Sequence, residues 1–289
     1  MRVTEKMISN GLSRNINKTM SRIDKKYSEL SSGKRIQRPS DDPVALVTSL
    51  RLYDSIKEAD RYKENAQNAI SWLEASDAAL GELTSVLHRF EEVAVAASNG
   101  TLTRESREGL AAEIRELKNH ILQIANTQHE RRYLFSGQQT IRPAYDQNFK
   151  YQGDSRRFNI EVGADTYLEV SVTGDEVFGD FFEKLDQFAT HVDAGDIVQV
   201  SNVDIKEIQS KLDQVLDIRA SLGAKVNRLE KNVDRLELLN IQFNQLLSKN
   251  EDVDIAGAAM ELKMQESVYQ AALATGARIL QITLVNYLR

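Results

Sequence analysis

The sequence predicts a mainly α-helical, elongated bundle or coiled coil that carries a small β-rich inserted domain. Three observations lead to this fold class. Apolar residues follow one another at alternating steps of three and four through residues 205–247, which is the a/d pattern of a coiled coil. Only three prolines occur in 289 residues, so most of the chain is free to form long helices. Strand-like alternation of period two is confined to residues 158–172.

The first helix is predicted over residues 5–32, where apolar side chains recur at helical spacing. Gly33 is expected to end it, because glycine readily adopts the left-handed conformation that closes a helix. A polar loop follows and leads to Asp42, an N-cap acceptor, and Pro43, which suits the first helical position. The second helix is therefore expected from Pro43 to about Ser98.

The third helix is predicted to begin after the N-cap residue Thr103 and to continue to about Tyr133. Glycine then becomes frequent, and two alternating segments flank a turn at residues 163–166, which predicts a β-hairpin. Residues 149–151 are a further candidate strand, and a short helix is expected over residues 178–192. Residues 138–200 are therefore interpreted as a small inserted β-rich domain.

The heptad seam belongs to a long helix that is expected to end near Asn250. Ser201 followed by Asp204 predicts a capping box at its start. Arg219 and Asn240 are the polar residues of the seam, and polar seam residues commonly fix the register of packing. The seam consists of Ile205, Ile208, Leu212, Val215, Arg219, Leu222, Val226, Leu229, Val233, Leu236, Asn240, Phe243 and Leu247.

A final alanine-rich helix is predicted to start after Asp252 or Asp254 and to run almost to Arg289. Towards its end it is apolar on nearly every face, and such a helix is normally buried. Both ends of the chain thus carry apolar stripes that require a partner. Physical chemistry alone therefore predicts a structural helical bundle that assembles with other subunits.

Composition limits the partners. The net charge of -6 argues against non-specific binding to nucleic acid or to an anionic membrane surface. The absence of cysteine excludes a disulfide scaffold, a thiolate metal site and a cysteine nucleophile. We see no uncharged apolar stretch long enough for a membrane span and no apolar run typical of a cleaved signal peptide. We therefore expect neither a nucleic-acid nor a membrane partner.

No catalytic, cofactor-binding or metal site is predicted. The four histidines lack the spacing of zinc ligands, and no glycine-rich phosphate loop or nucleophile elbow occurs. Asp41 and Asp42 are adjacent carboxylates, for which capping and loop structure are favoured over acid-base chemistry. Lys34, Arg35 and Arg38 form a basic cluster in the same loop. This cluster is either solvated or makes an ionic contact, within the loop or across a subunit interface.

Three segments carry a family resemblance. Residues 30–45, LSSGKRIQRPSDDPVA, resemble the signature that joins the first two helices of bacterial flagellins and their relatives. Residues 221–230, SLGAKVNRLE, resemble the matching C-terminal motif, and residues 252–289 have the flagellin-like terminal pattern. The segments occur in the order that the family shows. The chain is thus identified as similar to the flagellin family.

Within the family, the form RPSDDPVA, the segment YLFSGQQT at 133–140 and the ending LVNYLR resemble members of the junction between hook and filament. Filament flagellins have a loop closer to a lysine followed by DDAAG. The resemblance implies a secreted structural protein of the bacterial flagellum that serves motility, is exported by the flagellar type III apparatus and has no enzymatic activity and no cofactor. Its implied partners are other copies of the chain in a ring, hook-associated protein 1, flagellin and an export chaperone.

The resemblance also implies a division of the chain and a set of contact residues. Residues 1–42 and 252–289 would form a terminal coiled-coil assembly region, residues 43–137 and 201–251 a helical bundle, and residues 138–200 the outer domain. The expected assembly residues are Leu12, Ile16, Met20, Ile23, Tyr27, Leu30, Leu262, Tyr269, Leu273, Leu280 and Leu284. The expected junction-loop residues are Lys34, Arg35, Arg38, Asp41 and Asp42.

Two other functions remain open from the sequence. A short filament flagellin would share this fold and differ only in its place in the flagellum. A cytoplasmic coiled-coil scaffold would have the heptad seam without any link to flagella.

Overall fold

The structure, a computed structural model, describes residues 2–287, and the side chains of residues 2–6, 8 and 279–287 lie outside that description. The described chain is mainly helical, as predicted. Its elements are α1 (Arg2–Ser32), α2 (Pro43–Ala97), α3 (Arg104–Ala125), β1 (Gln128–His129), β2 (Arg132–Tyr133), β3 (Asn159–Gly163), β4 (Thr166–Glu169), α4 (Gly174–Val177), α5 (Phe181–Ala194), α6 (Ile197–Gln199), a π-helical turn (Val200–Asp204), α7 (Ile205–Glu251) and α8 (Ile255–Tyr287).

The chain divides into two units. The terminal unit consists of the residues up to 57 and from 240 onwards, and the central unit consists of residues 58–239. The terminal unit therefore contains α1, α8, the loop between α1 and α2, and one end each of α2 and α7. This division is made by contacts within the chain, and the three-part division expected from the resemblance stays a prediction.

Local sequence signals place several helix ends correctly. Gly33 adopts the predicted left-handed conformation, with φ of 71°, directly after α1. Asp42 accepts a hydrogen bond from the backbone N–H of Ala45 at 3.0 Å, so it caps α2, which begins at Pro43. Thr103 caps α3 through the backbone N–H of Ser106.

The heptad seam of α7 is buried in the central unit. Its a and d side chains join one hydrophobic core with apolar residues of α2 and α3, as the spacing predicts. The fully buried seam residues of this unit are Ile208, Val215, Leu222, Leu229 and Leu236. The seam is thus satisfied within the chain rather than by another subunit.

Arg219, a polar residue of the seam, forms a bidentate ion pair with Asp77 of α2. Its Nε lies 2.8 Å from Oδ1 and its Nη2 3.2 Å from Oδ2. Gly81 of α2 faces the same guanidinium, and a Cβ there would lie 3.6 Å from Nη2. A planar, two-point contact of this kind has one preferred geometry, which fits the proposal that Arg219 fixes the register of α7 against α2.

The third helix is shorter than predicted. It ends at Ala125 rather than near Tyr133, and the chain turns back as the small antiparallel pair β1–β2. Glu130 and Arg131 make the turn with φ of 49° and 66°. Non-glycine residues rarely adopt positive φ, so the sequence carried no signal for this turn.

The predicted capping box at the start of the long helix is wrong. The helical backbone passes from α6 through the π-helical turn into α7 without a break. Ser201 Oγ donates to the carbonyl of Ile197 at 2.6 Å instead of capping. Asp204 is buried and pairs with Nδ1 of His191 at 2.9 Å, although burial raises the pKa of its carboxyl above the ordinary value.

The hairpin predicted in the insertion is present as β3–β4. The segment predicted as a possible strand near Phe149 forms only an isolated bridge between Tyr145 and Tyr151. The rest of the insertion is dominated by α5 and an aromatic cluster, in which the rings of Tyr145 and Phe182 lie 5.0 Å apart. Aromatic pairs at this distance add to the stability that burial provides.

Candidate assembly surface and polar clasp

The two ends of the chain pair with each other. Lys26 of α1 forms an ion pair with Glu261 of α8 at 2.8 Å, and Leu12 lies opposite Gly276. The two helices are therefore antiparallel. A Cβ at Gly276 would lie 2.7 Å from Cδ2 of Leu12, so this glycine permits the close approach of the helices.

The expected assembly residues fall into two groups in this helix pair. Six of them are half-buried, and the others whose side chains are described are exposed. The half-buried group is Leu12, Ile16, Ile23, Leu30, Leu262 and Tyr269. The exposed group is Met20, Tyr27 and Leu273. The side chains of Leu280 and Leu284 lie outside the described residues.

The expected set omitted four large exposed apolar residues of α8, namely Ile255 at its start and three that are spaced along it. Met260, Met264 and Val268 follow one another at steps of four, so they form a stripe along the helix. The spacing was visible in the sequence. It was missed because α8 is apolar on nearly all faces, so the sequence alone does not separate the face that packs on α1 from the face left open.

The loop between α1 and α2 is held by the end of α7. Lys34 and Asp252 form an antiparallel bridge, and the backbone N–H of Arg35 donates to the carbonyl of Glu251 at 2.6 Å. The N–H of Val253 donates to the carbonyl of Gly33 at 3.0 Å. Residues more than 200 positions apart thus form a short backbone ladder.

Side chains extend this ladder into what we name the polar clasp: Lys34, Tyr53, Asn250 and Glu251. Glu251 is 6% exposed, and its carboxylate lies 2.6 Å from Lys34 Nζ. It also accepts a hydrogen bond from the Tyr53 hydroxyl at 2.6 Å, and that hydroxyl accepts one from Lys34 at 2.7 Å. Asn250 donates to the Ala45 carbonyl at 2.7 Å. A buried charge requires such partners, so the clasp explains the position of Glu251.

The remaining loop residues contact one another or α1. Asp41 lies 2.8 Å from Lys25 Nζ and accepts the backbone N–H of Arg38 at 3.0 Å. Arg35 donates to the Asn250 carbonyl at 2.9 Å and lies 3.6 Å from Asp42. Of the alternatives left open for the basic cluster, an ionic contact within the loop is seen for Arg35 with Asp42, whereas Asp41 pairs with Lys25 of α1.

Hydrogen bonds and ion pairs shift the pKa values of the charged groups in the loop and the polar clasp. The ion pair with Lys25 and the backbone N–H of Arg38 lower the pKa of Asp41 to about 2. Burial alone would raise the pKa of Glu251, but the hydrogen bonds from Lys34 and Tyr53 outweigh it and hold that pKa below its ordinary value. The bond to Glu251 raises the pKa of Lys34.

We therefore expect acid to open the loop. A carboxylate with a lowered folded-state pKa stabilises the fold above its unfolded pKa of about 4, and this contribution disappears as pH falls towards the folded value. Amide exchange of residues 34–42, corrected for the intrinsic rate, should accelerate as pH falls from 4 to 2. The variant Asp41→Asn should lose part of this acceleration. Equal protection at pH 7 and pH 2 would contradict the expectation.

A metal site and a membrane-spanning helix are both lacking in the part of the chain that the structure describes. No group of three or more histidine and carboxylate side chains among residues 2–287 could hold a metal ion. No helix in this part of the chain is long and apolar enough to cross a membrane.

An antiparallel pair of chain-end helices with an open apolar stripe is typical of a structural protein that assembles with other subunits. Family models agree with this class. The model of the bacterial flagellin N-terminal helical region matches residues 3–140, and that of the C-terminal helical region matches residues 205–288. The chain belongs to the flagellin family. It is thus a structural component of the bacterial flagellum and not an enzyme.

Relatives of two kinds resemble the chain. Flagellar hook-associated protein 3 of Escherichia coli is 26% identical over 276 residues, which cover 86% of this chain and 87% of the relative. A flagellin of Halalkalibacterium halodurans is 29% identical over 267 residues, which cover 90% of this chain and 89% of that flagellin. Sequence identity therefore does not show whether the chain is more similar to hook-associated proteins or to filament flagellins.

Solved structures share the fold. A flagellar hook-associated protein of Vibrio parahaemolyticus, described as putative, superposes with a TM-score of 0.68 and 19% identity and covers 73% of this chain and 100% of its own. Flagellar hook associated protein-3 of Legionella pneumophila superposes with a TM-score of 0.60 and 18% sequence identity. The match covers 68% of this chain and 98% of that protein's chain. At these identities the likeness establishes the fold alone.

Proposed function

We propose that this chain forms the junction between the flagellar hook and the flagellin filament. In this role it forms a ring of identical subunits that contacts hook-associated protein 1 on one side and flagellin on the other. Export through the flagellar type III apparatus, with a dedicated chaperone, precedes assembly. The final location of the protein is then outside the cell, at the hook–filament junction.

The observation that carries the proposal is the exposed apolar surface of the terminal unit. Of the 21 large apolar side chains that are exposed among the described residues, 13 lie in this unit, which is little more than a third of the chain. Such concentrations mark protein interaction surfaces. We therefore assign subunit contacts to the eleven residues expected from the sequence, together with Met260, Met264 and Val268.

The junction, rather than the filament, is supported by the loop after α1. Both loop forms contain the two aspartates, which in this chain pair with Lys25 and cap α2, so the two forms differ at the residue that follows them. A loop reading DDAAG would lack the proline that starts α2. We propose that residues 1–42 and 252–289 form the assembly region, residues 43–137 and 201–251 the bundle, and residues 138–200 the outer domain.

A short filament flagellin is the second candidate, because the flagellin of Halalkalibacterium halodurans matches as well as the hook-associated relative does. Family membership leaves no support for the cytoplasmic scaffold considered from the sequence. The two remaining functions differ in where the protein lies and in how many copies each flagellum holds.

Location distinguishes the two. Gold-labelled antibody against the chain should mark one band where the hook meets the filament on isolated flagella, and deletion of the gene should leave hooks without filaments. As a control, purified chain added to filament fragments should not elongate them. Label along the whole filament, or elongation of the fragments, would instead identify a filament flagellin.

A further inference from the structure

All the sulfur of this protein lies in the two terminal segments of its sequence. The five methionines are at positions 1, 7, 20, 260 and 264, and cysteine is absent. Residues 21–259, which include the whole central unit, therefore contain no sulfur atom. The single tryptophan, Trp72, is 8% exposed. Mild oxidants that react with thioethers thus have targets only at the two ends of the chain.

The four methionines whose side chains the structure describes are exposed to solvent in the free chain. Met7 is 66% exposed, Met20 45%, Met260 70% and Met264 57%. Met260 and Met264 lie on the stripe of α8 that includes Val268. Met20 lies seven residues before the exposed Tyr27, and therefore on the same side of α1.

Methionine suits a surface that packs against subunits of different kinds. Its side chain is unbranched and polarisable, so it fills irregular gaps and adapts to different neighbours. A junction subunit must contact other copies of itself as well as unlike proteins. Oxidation removes this adaptability, because the sulfoxide is polar and its burial requires a hydrogen-bond donor.

We propose that Met20, Met260 and Met264 are modification sites at which peroxide blocks the incorporation of free subunits, and that assembly shields them. The inference rests on the proposed function, since the occupant of this face is a neighbouring copy of the chain. The thioether sulfur attacks one oxygen of hydrogen peroxide. The S–O bond forms, the O–O bond breaks, and the released hydroxide takes up the remaining proton as water. Sulfur loses two electrons and the peroxide gains them.

A protection experiment tests the shielding. Purified full-length chain and isolated flagella are treated with the same concentration of hydrogen peroxide, and sulfoxide at each methionine is measured by peptide mass spectrometry. We expect oxidation at Met20, Met260 and Met264 to be several-fold slower in the flagella. Equal rates in the two samples would overturn the proposal.

Matched variants test whether polar side chains at the methionine positions prevent incorporation of the subunit. In a deletion strain, the triple substitution of Met20, Met260 and Met264 by glutamine imitates the polarity of the sulfoxide, and the same substitution by leucine keeps the face apolar. We expect the glutamine variant to be lost from flagella. The leucine variant should be incorporated and should restore swimming that peroxide no longer reduces. The unfolding transition of each purified variant is measured to check that its central unit is folded.

The outcomes separate the two proposals. Normal incorporation of the glutamine variant overturns the modification sites, whatever the location of the wild-type chain. Wild-type chain found along the filament contradicts the junction function, while the comparison of the glutamine and leucine variants still decides the role of the methionines. Wild-type subunits that are fully oxidised before assembly and still incorporate would also overturn the modification sites.

Discussion

Removal of residues 1–30 and 255–289 is expected to leave a folded protein that is absent from flagella. The central unit holds the hydrophobic core formed by α2, α3, α5 and α7. Among the described residues of the two removed segments, Ala258 is the only buried apolar side chain. The polar clasp, from Lys34 to Glu251, lies within the retained chain. Stability is therefore kept while the proposed assembly surface is lost.

The measurements are far-UV circular dichroism, thermal unfolding and fractionation of flagella from a strain that expresses the truncated chain. Truncation of one end alone is the matched control. It leaves α1 or α8 without its antiparallel partner and exposes the half-buried face, so we expect self-association that the double truncation does not show. Loss of helical signal throughout the truncated chain, or its presence in flagella, would contradict the expectation.

The elements that were predictable from sequence are those fixed by local chemistry. The seam of α7, the left-handed Gly33, and the caps at Asp42 and Thr103 each depend on residues a few positions apart, and the structure confirms them. The hairpin β3–β4 was also predictable, because alternation and a turn are local signals.

The errors arose where tertiary contacts override a local pattern. Ser201 and Asp204 have the spacing of a capping box, but Asp204 is held by His191 of α5. The helix α3 has no local stop signal near Ala125. At its end, the Asn126 side chain bonds both the N–H and the carbonyl of Tyr145, and the chain then turns at Glu130 and Arg131 between β1 and β2.

The polar clasp lay beyond sequence analysis for the same reason. Lys34 was identified as part of a basic cluster, yet its partner Glu251 is far away in the chain and appeared only as the end of a long helix. Which face of α8 is open was equally hidden, because it depends on where α1 packs. Contacts between distant segments are the part of this site that a single sequence does not encode in any local pattern.

Reversal of the clasp charge is expected to open the loop and to prevent incorporation into flagella. Lys34→Glu places a second carboxylate where Lys34 Nζ lies 2.6 Å from the buried Glu251. Breaking a buried pair is strongly destabilising, but the Lys34 side chain is 43% exposed, so solvent screening reduces the effect. We expect local opening of residues 34–36 to become easier by about 2 kcal/mol. Hydrogen exchange of their amides measures this free energy.

The double variant Lys34→Glu with Glu251→Lys should recover most of the loss, because it restores a pair of opposite charges and Tyr53, which bonds both groups, can adapt to the exchange. Its hydroxyl accepts from Lys34 and donates to Glu251, and a hydroxyl can reverse both roles by rotating its hydrogen. Lys18→Glu, at an exposed position of α1, is the control for the change in net charge and should have little effect. A coupling free energy below about 0.5 kcal/mol in the cycle of single and double variants would show that the clasp does not hold the loop.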